Sequence, residues 1–154
     1  MATLYSNQKT KWSQNVPSEK IDTNEQGGRM RVAFADVTLA SAAIADVVQM
    51  VNLPNGARII DGYLTNAALG SSTTLSVGYA AYKNAAGTTV ALSTAGYLAA
   101  TSTSSAARTD IFATQALGSG SVVDANQDGL PISITLAGGS ASGLVQLIVR
   151  YVVE

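Results

Sequence analysis

The acidic side chains are the residues of this sequence that could carry out chemistry, because histidine and cysteine are both absent. Without them the chain lacks the commonest general base, the thiolate nucleophile and the usual zinc ligands. Two carboxylates alone can hydrolyse a glycosidic bond, and the body of the chain offers Asp36, Asp46, Asp61, Asp110, Asp124, Asp128 and Glu154. Most of these acids fall at expected turns or strand ends, where Asp accepts hydrogen bonds from backbone donors. We therefore expect no catalytic residue, no small-molecule substrate and no enzymatic activity.

One group of oxygen-bearing side chains has the spacing of calcium ligands. The hexapeptide that contains Asp124, Asn126 and Asp128 reads D-A-N-Q-D-G, which matches the first half of an EF-hand loop. The twelfth position of that loop is Thr135 instead of the bidentate Glu, and a strand is expected where the exiting helix should be. The alternatives are an Asx-rich turn and a weak calcium site built in a β-turn, and the missing ligand favours the turn. We expect no resident metal and no other cofactor.

Composition excludes several other functions. Charged residues make up 12% of the 154 residues, about half of the roughly 25% that is usual for a soluble domain. The formal net charge is −1, so there is no basic field to attract nucleic acid. No apolar run reaches the length of a membrane span. The first residues lack the basic and apolar regions of a secretory signal, so we expect synthesis in a cytoplasm.

The chain divides into a polar arm and a body. Residues 1–29 are rich in charged and amide side chains and show no apolar periodicity, which predicts an extended N-terminal arm that cannot form a core of its own. Leu4, Tyr5 and Trp12 are the exceptions. Trp12 could lie on the chain's own domain, or the arm could order against a neighbouring subunit with these three residues as its contacts.

The body, residues 30–154, alternates between apolar and polar residues with a period of two. Leu130–Leu136 and Thr73–Ala80 predict half-buried strands. Leu144–Val153 has one apolar face and an opposite face that mixes apolar residues with Gln146 and Arg150, which predicts a central strand covered on both sides. Weaker signals predict further strands at Arg31–Leu39, Asp46–Leu53, Arg58–Asn66, Thr88–Ser93 and Asp110–Thr114.

About eight short strands separated by turn residues predict an all-β fold, either a β-sandwich or a barrel. The segment Thr94–Ala100 is interpreted as a short helical turn. The long, uneven connection over residues 94–109 favours Greek-key crossings, so a single jelly-roll-like β-sandwich is the favoured architecture.

One third of the chain resembles a known group of proteins. The segment Val47–Tyr63, with the turn Pro54-Asn55-Gly56, and the segment Thr74-Leu75-Ser76-Val77-Gly78-Tyr79-Ala80 are similar to a strand–turn–strand pattern in tailed-phage head decoration (cement) proteins and related small virion proteins. Pro54 and Gly56 make the turn, and Gly78 is expected to allow a close backbone approach. These are residues of the fold, so the resemblance carries over no functional site.

The resemblance implies a jelly-roll protein of the bacteriophage virion that is made in the host cytoplasm and binds the outer surface of the head. Its partners would be the major capsid protein and copies of itself, with a homotrimer favoured over a dimer because oligomers on a shell follow its symmetry axes. The alternative is a carbohydrate-binding or adhesive β-sandwich module of a phage tail or fibre.

Overall fold

A computed structural model describes residues 6, 8, 9, 11, 27–114 and 120–153 of the chain. Ten strands and no helix are formed within 27–114 and 120–153, which confirms the all-β prediction. The strands are β1 (Met30–Ala42), β2 (Val47–Leu53), β3 (Arg58–Asn66), β4 (Thr74–Tyr79), β5 (Tyr82–Lys83), β6 (Thr89–Val90), β7 (Ser93–Ser102), β8 (Ala107–Asp110), β9 (Leu130–Ala137) and β10 (Ala141–Val152).

Eight of the strands form two antiparallel sheets that pack face to face. Sheet A has the order β1-β10-β3-β8, and sheet B has the order β2-β9-β4-β7. Within them β4 pairs with β7, β3 with β8, β2 with β9 and β1 with β10. These nested pairs show that the chain forms one long antiparallel ribbon wound around a core, which is the jelly roll that the sequence predicts. The short hairpin β5–β6 is inserted between β4 and β7.

The core lies between the inner faces of the sheets and is almost wholly aliphatic. Alternate residues of each strand point into it, as the period of two requires. Its largest fully buried side chains include Leu75, Val77, Ile132 and Ile134 from sheet B and Ile59, Leu64, Leu147 and Val149 from sheet A. Burial of these side chains is the main stabilising contribution to the fold.

The helical turn that the sequence predicts over Thr94–Ala100 is wrong, because these residues belong to strand β7. The pairing between β4 and β7 shifts register twice, between Leu75 and Val77 and between Val77 and Tyr79. Each shift interrupts the two-residue alternation that identifies a strand in a sequence.

The predicted strand Asp110–Thr114 is also wrong beyond its first residue. Strand β8 ends at Asp110, whose Oδ1 accepts a hydrogen bond from the backbone N–H of Phe112 at 2.8 Å. The two residues that follow, Ile111 and Phe112, are both buried. A strand would send them to opposite faces, so this Asx turn is what places both in the core.

Gly78 marks the closest approach within sheet B. A side-chain carbon at this position would overlap the carbonyl oxygen of Ser93 and lie 2.7 Å from the carbonyl carbon of Thr94. The absent side chain therefore lets β4 meet the start of β7, as the sequence predicts.

We expect Gly78→Ala to lower the free energy of unfolding by about 2–3 kcal/mol, because the methyl group forces two strands apart. The matched control is Gly139→Ala, where the added carbon meets only ordinary contacts at 3.6 Å and the change should stay within about 0.5 kcal/mol. Urea unfolding measures both variants. Equal stability of the two variants would contradict this account of the close approach.

Candidate functional site

The outer face of sheet A carries an apolar row that crosses the sheet. Strand pairing places Phe34 of β1 beside Ile148 of β10, and Ile148 beside Tyr63 of β3. On β1, Met30 and Val32 lie on this same face. We call these five residues the sheet A patch.

The bulky residues of β1 point away from the core. Met30, Val32 and Phe34 are 53%, 58% and 55% exposed, whereas the small Ala33 lies between them and packs against the core. β1 is also an edge strand, and an exposed apolar edge strand is the kind of surface that pairs with another chain. The alternation of large and small apolar residues was present in the sequence, but it does not say which set points inward.

A charged cluster adjoins the patch at Tyr63. The guanidinium carbon of Arg108 lies 4.0 Å from the centre of the Tyr63 ring, and that of Arg150 lies 5.5 Å from it. The Nε of Arg150 donates to Asp61 Oδ1 at 2.5 Å. This hydrogen bond, with the neighbouring negative charge, raises the pKa of Arg150 above its ordinary value.

The cluster leaves one cation available to a partner. Asp61 neutralises Arg150, whereas no described residue forms an ion pair with Arg108. The cation–π contact with Tyr63 positions the Arg108 guanidinium, whose N–H groups can still donate to a carboxylate on another molecule. Apolar contacts beside an oriented arginine are typical of a protein-binding surface.

Strand β10 confirms one half of its prediction. It lies centrally in sheet A, between β1 and β3, and its inner face is buried. Its outer face is not covered by the part of the chain that the structure describes, since Leu144 is 41% exposed. This outer face carries Leu144 and Ile148 beside Gln146 and Arg150, and exposed apolar side chains among polar ones suit contact with a second chain.

The candidate acids do not converge on one another. Asp46, Asp110 and Asp124 each accept a hydrogen bond from a backbone N–H, and Asp61 pairs with Arg150. Asp36 lies on the outer face of β1. Glu154 is outside the described residues.

The candidate calcium turn has the hydrogen bonds of an Asx turn. Asn126 Nδ2 donates to Asp128 Oδ2 at 2.8 Å, and the backbone N–H of Asp128 donates to Asn126 Oδ1 at 3.0 Å. The Asp124 carboxylate instead accepts a hydrogen bond from the backbone N–H of Ala85 at 3.1 Å. No group of three or more acidic residues that could hold a metal ion occurs among residues 27–114 and 120–153.

Leu4, Tyr5 and Trp12, the predicted contacts of the arm, lie outside the described residues, so the arm stays a prediction. Within the described part of the chain, no helix is long and apolar enough to cross a membrane.

An aromatic series extends from the core to the surface beside β5. Phe112, Tyr97, Tyr79 and Tyr82 follow one another with ring centres 5.7–6.0 Å apart, each pair edge-to-face. This arrangement is the favourable one for aromatic rings. Burial raises the pKa of the Tyr97 hydroxyl above its ordinary value of 10.0, and Tyr79 and Tyr82 raise it further.

The geometry defines a jelly-roll protein with an apolar patch beside a charged cluster on the outer face of sheet A, and the acids among its described residues do not converge. No protein-family model and no curated protein sequence matches the chain. The fold is similar to that of a chain in the cyanophage Pam1 capsid asymmetric unit, at a TM-score of 0.59 and 20% identity over 92% of this chain and 99% of that chain. It is also similar to a chain in the capsid of Ralstonia phage GP4, at a TM-score of 0.61 and 20% identity over 82% of this chain and 86% of that chain.

The raised pKa of Tyr97 predicts a loss of stability in alkali. The unfolded chain releases the Tyr97 proton near pH 10, whereas the folded chain retains it, so the contribution is complete below pH 10 and falls as the pH rises. We expect Tyr97→Phe to remove about 1.4 kcal/mol per pH unit from the slope of unfolding free energy above pH 10. Urea unfolding over a series of pH values measures this slope. An unchanged slope in the variant would contradict the burial of an ionisable Tyr97.

Proposed function

We propose that this chain is a structural protein of a bacteriophage virion that decorates the head. The observation that carries the proposal is the similarity of fold to a chain of a phage capsid asymmetric unit, which extends over 99% of that chain. A second phage capsid contains a chain of similar fold. The sequence resemblance to head decoration proteins points to the same role. The protein would act by binding, without catalysis or a cofactor.

The proposed site of action is the outer surface of the head shell, reached after synthesis in the host cytoplasm. The partners would be the major capsid protein and other copies of this chain. Closed symmetry is the rule for such oligomers, and the local axes of a shell favour a homotrimer over a dimer. Subunit contacts of this kind would stabilise the shell as a cement does.

The sheet A patch is the surface that we assign to the shell. It presents exposed apolar side chains, and the adjoining Arg108 lacks a carboxylate partner among the described residues. The complementary surface would present apolar groups next to an acidic side chain. Burial of Phe34 and Val32 there would remove apolar area from water, and the carboxylate would pair with Arg108.

We expect Phe34→Asp to weaken binding of the purified protein to heads that lack it by at least about tenfold, because a charge would be buried in an apolar contact. The matched control is Leu92→Asp, since Leu92 is as exposed at 60% but lies outside the sheet A patch. Co-sedimentation with heads measures both variants. Full binding by Phe34→Asp, or equal loss in the control, would contradict the assignment of this face.

The arm gives a second prediction. Deletion of residues 1–29 should leave the β-sandwich folded, because the buried core residues of the described chain run from Leu39 onwards. It should abolish attachment to the shell or association between copies. Trp12→Ala should reproduce part of the loss if Trp12 is the anchor. Circular dichroism checks folding, and co-sedimentation and light scattering check the two associations. Unimpaired attachment and association of the truncated chain would refute a role for the arm.

A further inference from the structure

A cleft of about 430 Å³ lies at the end of sheet B, and none of its lining residues belongs to the sheet A patch. Its walls are the β5–β6 hairpin, strand β2 and the turn before β9. The polar and aromatic side chains that line it include Gln49, Asn52, Tyr82, Lys83, Asn126 and Asp128. A volume in this range is ordinary for small-molecule sites.

Backbone contacts fix the walls relative to one another. Asn126 N donates to Lys83 O at 2.8 Å, and Ala85 N donates to Asp124 Oδ1 at 3.1 Å, so the hairpin is joined to the turn at two points. Gly129 brings the turn against β2, because a side-chain carbon there would lie 2.6 Å from Leu53 O. These contacts therefore hold the walls of the cleft in fixed positions.

Tyr82 presents an oriented aromatic ring to the cleft. Its ring packs edge-to-face against Tyr79, with the ring centres 5.7 Å apart, and Tyr79 packs in the same way against Tyr97. The ring is half-buried, so part of its surface stays accessible. Because its position is set by the aromatic series behind it, the ring would lose little conformational freedom on binding a ligand.

The polar groups around Tyr82 are those that bind hydroxyl groups. Asn126 and Asp128 orient each other by two hydrogen bonds, and these leave Asp128 Oδ1 without a partner among the described residues. The side chains of Gln49, Asn52 and Lys83 likewise make no hydrogen bond within the described part of the chain. A planar amide can both donate to and accept from neighbouring hydroxyls, whereas a carboxylate accepts from them.

We propose that this cleft binds a neutral saccharide, with the Tyr82 ring against the apolar face of the sugar and Asp128, Asn126, Gln49 and Asn52 at its hydroxyls. The opposite charges of Lys83 and Asp128 favour a ligand without net charge over a phosphate or a metal ion. This binding activity is additional to decoration of the head and does not depend on it. On a particle surface, such a site would bring the head into contact with glycans.

The test uses the purified full-length chain and three neutral disaccharides: lactose, maltose and N,N′-diacetylchitobiose. We expect at least one of them to shift the backbone amide NMR signals of Lys83, Asn126 and Asp128 at millimolar concentrations. Tyr82→Ala should weaken the affinity by about tenfold, whereas Tyr82→Phe, which keeps the ring, should change it less than about threefold. Tyr63→Ala removes an aromatic ring outside the cleft and should leave the affinity unchanged.

A second variant protects the test against misfolding of Tyr82→Ala. Gln49 and Asn52 are exposed, so the double variant Q49A/N52A should fold as the wild type does and still lose about tenfold in affinity. The absence of amide shifts with all three disaccharides would overturn the proposal, as would full affinity in Q49A/N52A. Both variants should attach to heads normally, so failure of saccharide binding is distinguishable from failure of the decoration role.

Discussion

The two sheets pack against each other through a layer of aliphatic side chains, and burial of this layer determines which side chains remain on the outer surfaces. Leu75, Ile134, Leu147 and Val149 occupy it and are fully shielded from water. Because successive residues of a strand point to opposite faces, each residue committed to this layer leaves its neighbours on an outer face. The nested strand pairs of the jelly roll are one arrangement in which all eight long strands bury one face at the same time. Polar and charged groups are consequently restricted to outer faces, turns and strand ends.

The outer face of sheet A and the cleft at the end of sheet B differ in the side chains that this restriction leaves on them. On sheet A the alternation of β1 places bulky Val32 and Phe34 outside and small Ala33 inside. In an isolated soluble domain this orientation adds no stability, because the larger side chains would bury more apolar area if they pointed into the core. It becomes favourable when a second protein covers the face. At the end of sheet B, by contrast, amides, a carboxylate and one oriented ring surround a cleft that suits a small polar ligand. The proposed protein-binding surface and the proposed ligand-binding cleft therefore occupy separate parts of the molecule.

Most of the fold was predictable because a two-residue period depends only on neighbouring residues. The range Arg58–Asn66 coincides with β3, and Leu130–Leu136 lies within β9. Prediction failed where contacts distant in sequence alter the local pattern. The register shifts between β4 and β7 interrupt the alternation along β7, so the sequence does not identify it as a strand. The Asx turn at Asp110 ends β8 before the predicted end. The surfaces were less predictable. Tyr82 and Asp128 line one cleft only because the inserted hairpin is hydrogen-bonded to the turn before β9. Arg108 reaches Tyr63 only through the pairing of β3 with β8. Such encounters depend on tertiary structure that no local pattern encodes.

The measurement that tests the central claim most directly is the copy number of this chain in purified phage particles, determined by quantitative mass spectrometry against the major capsid protein. A head decoration protein repeats with the shell lattice, so we expect this chain in amounts close to stoichiometric with the shell protein and retained on heads separated from tails. A handful of copies that leave with the tails, or the absence of the chain from purified particles, would contradict the account.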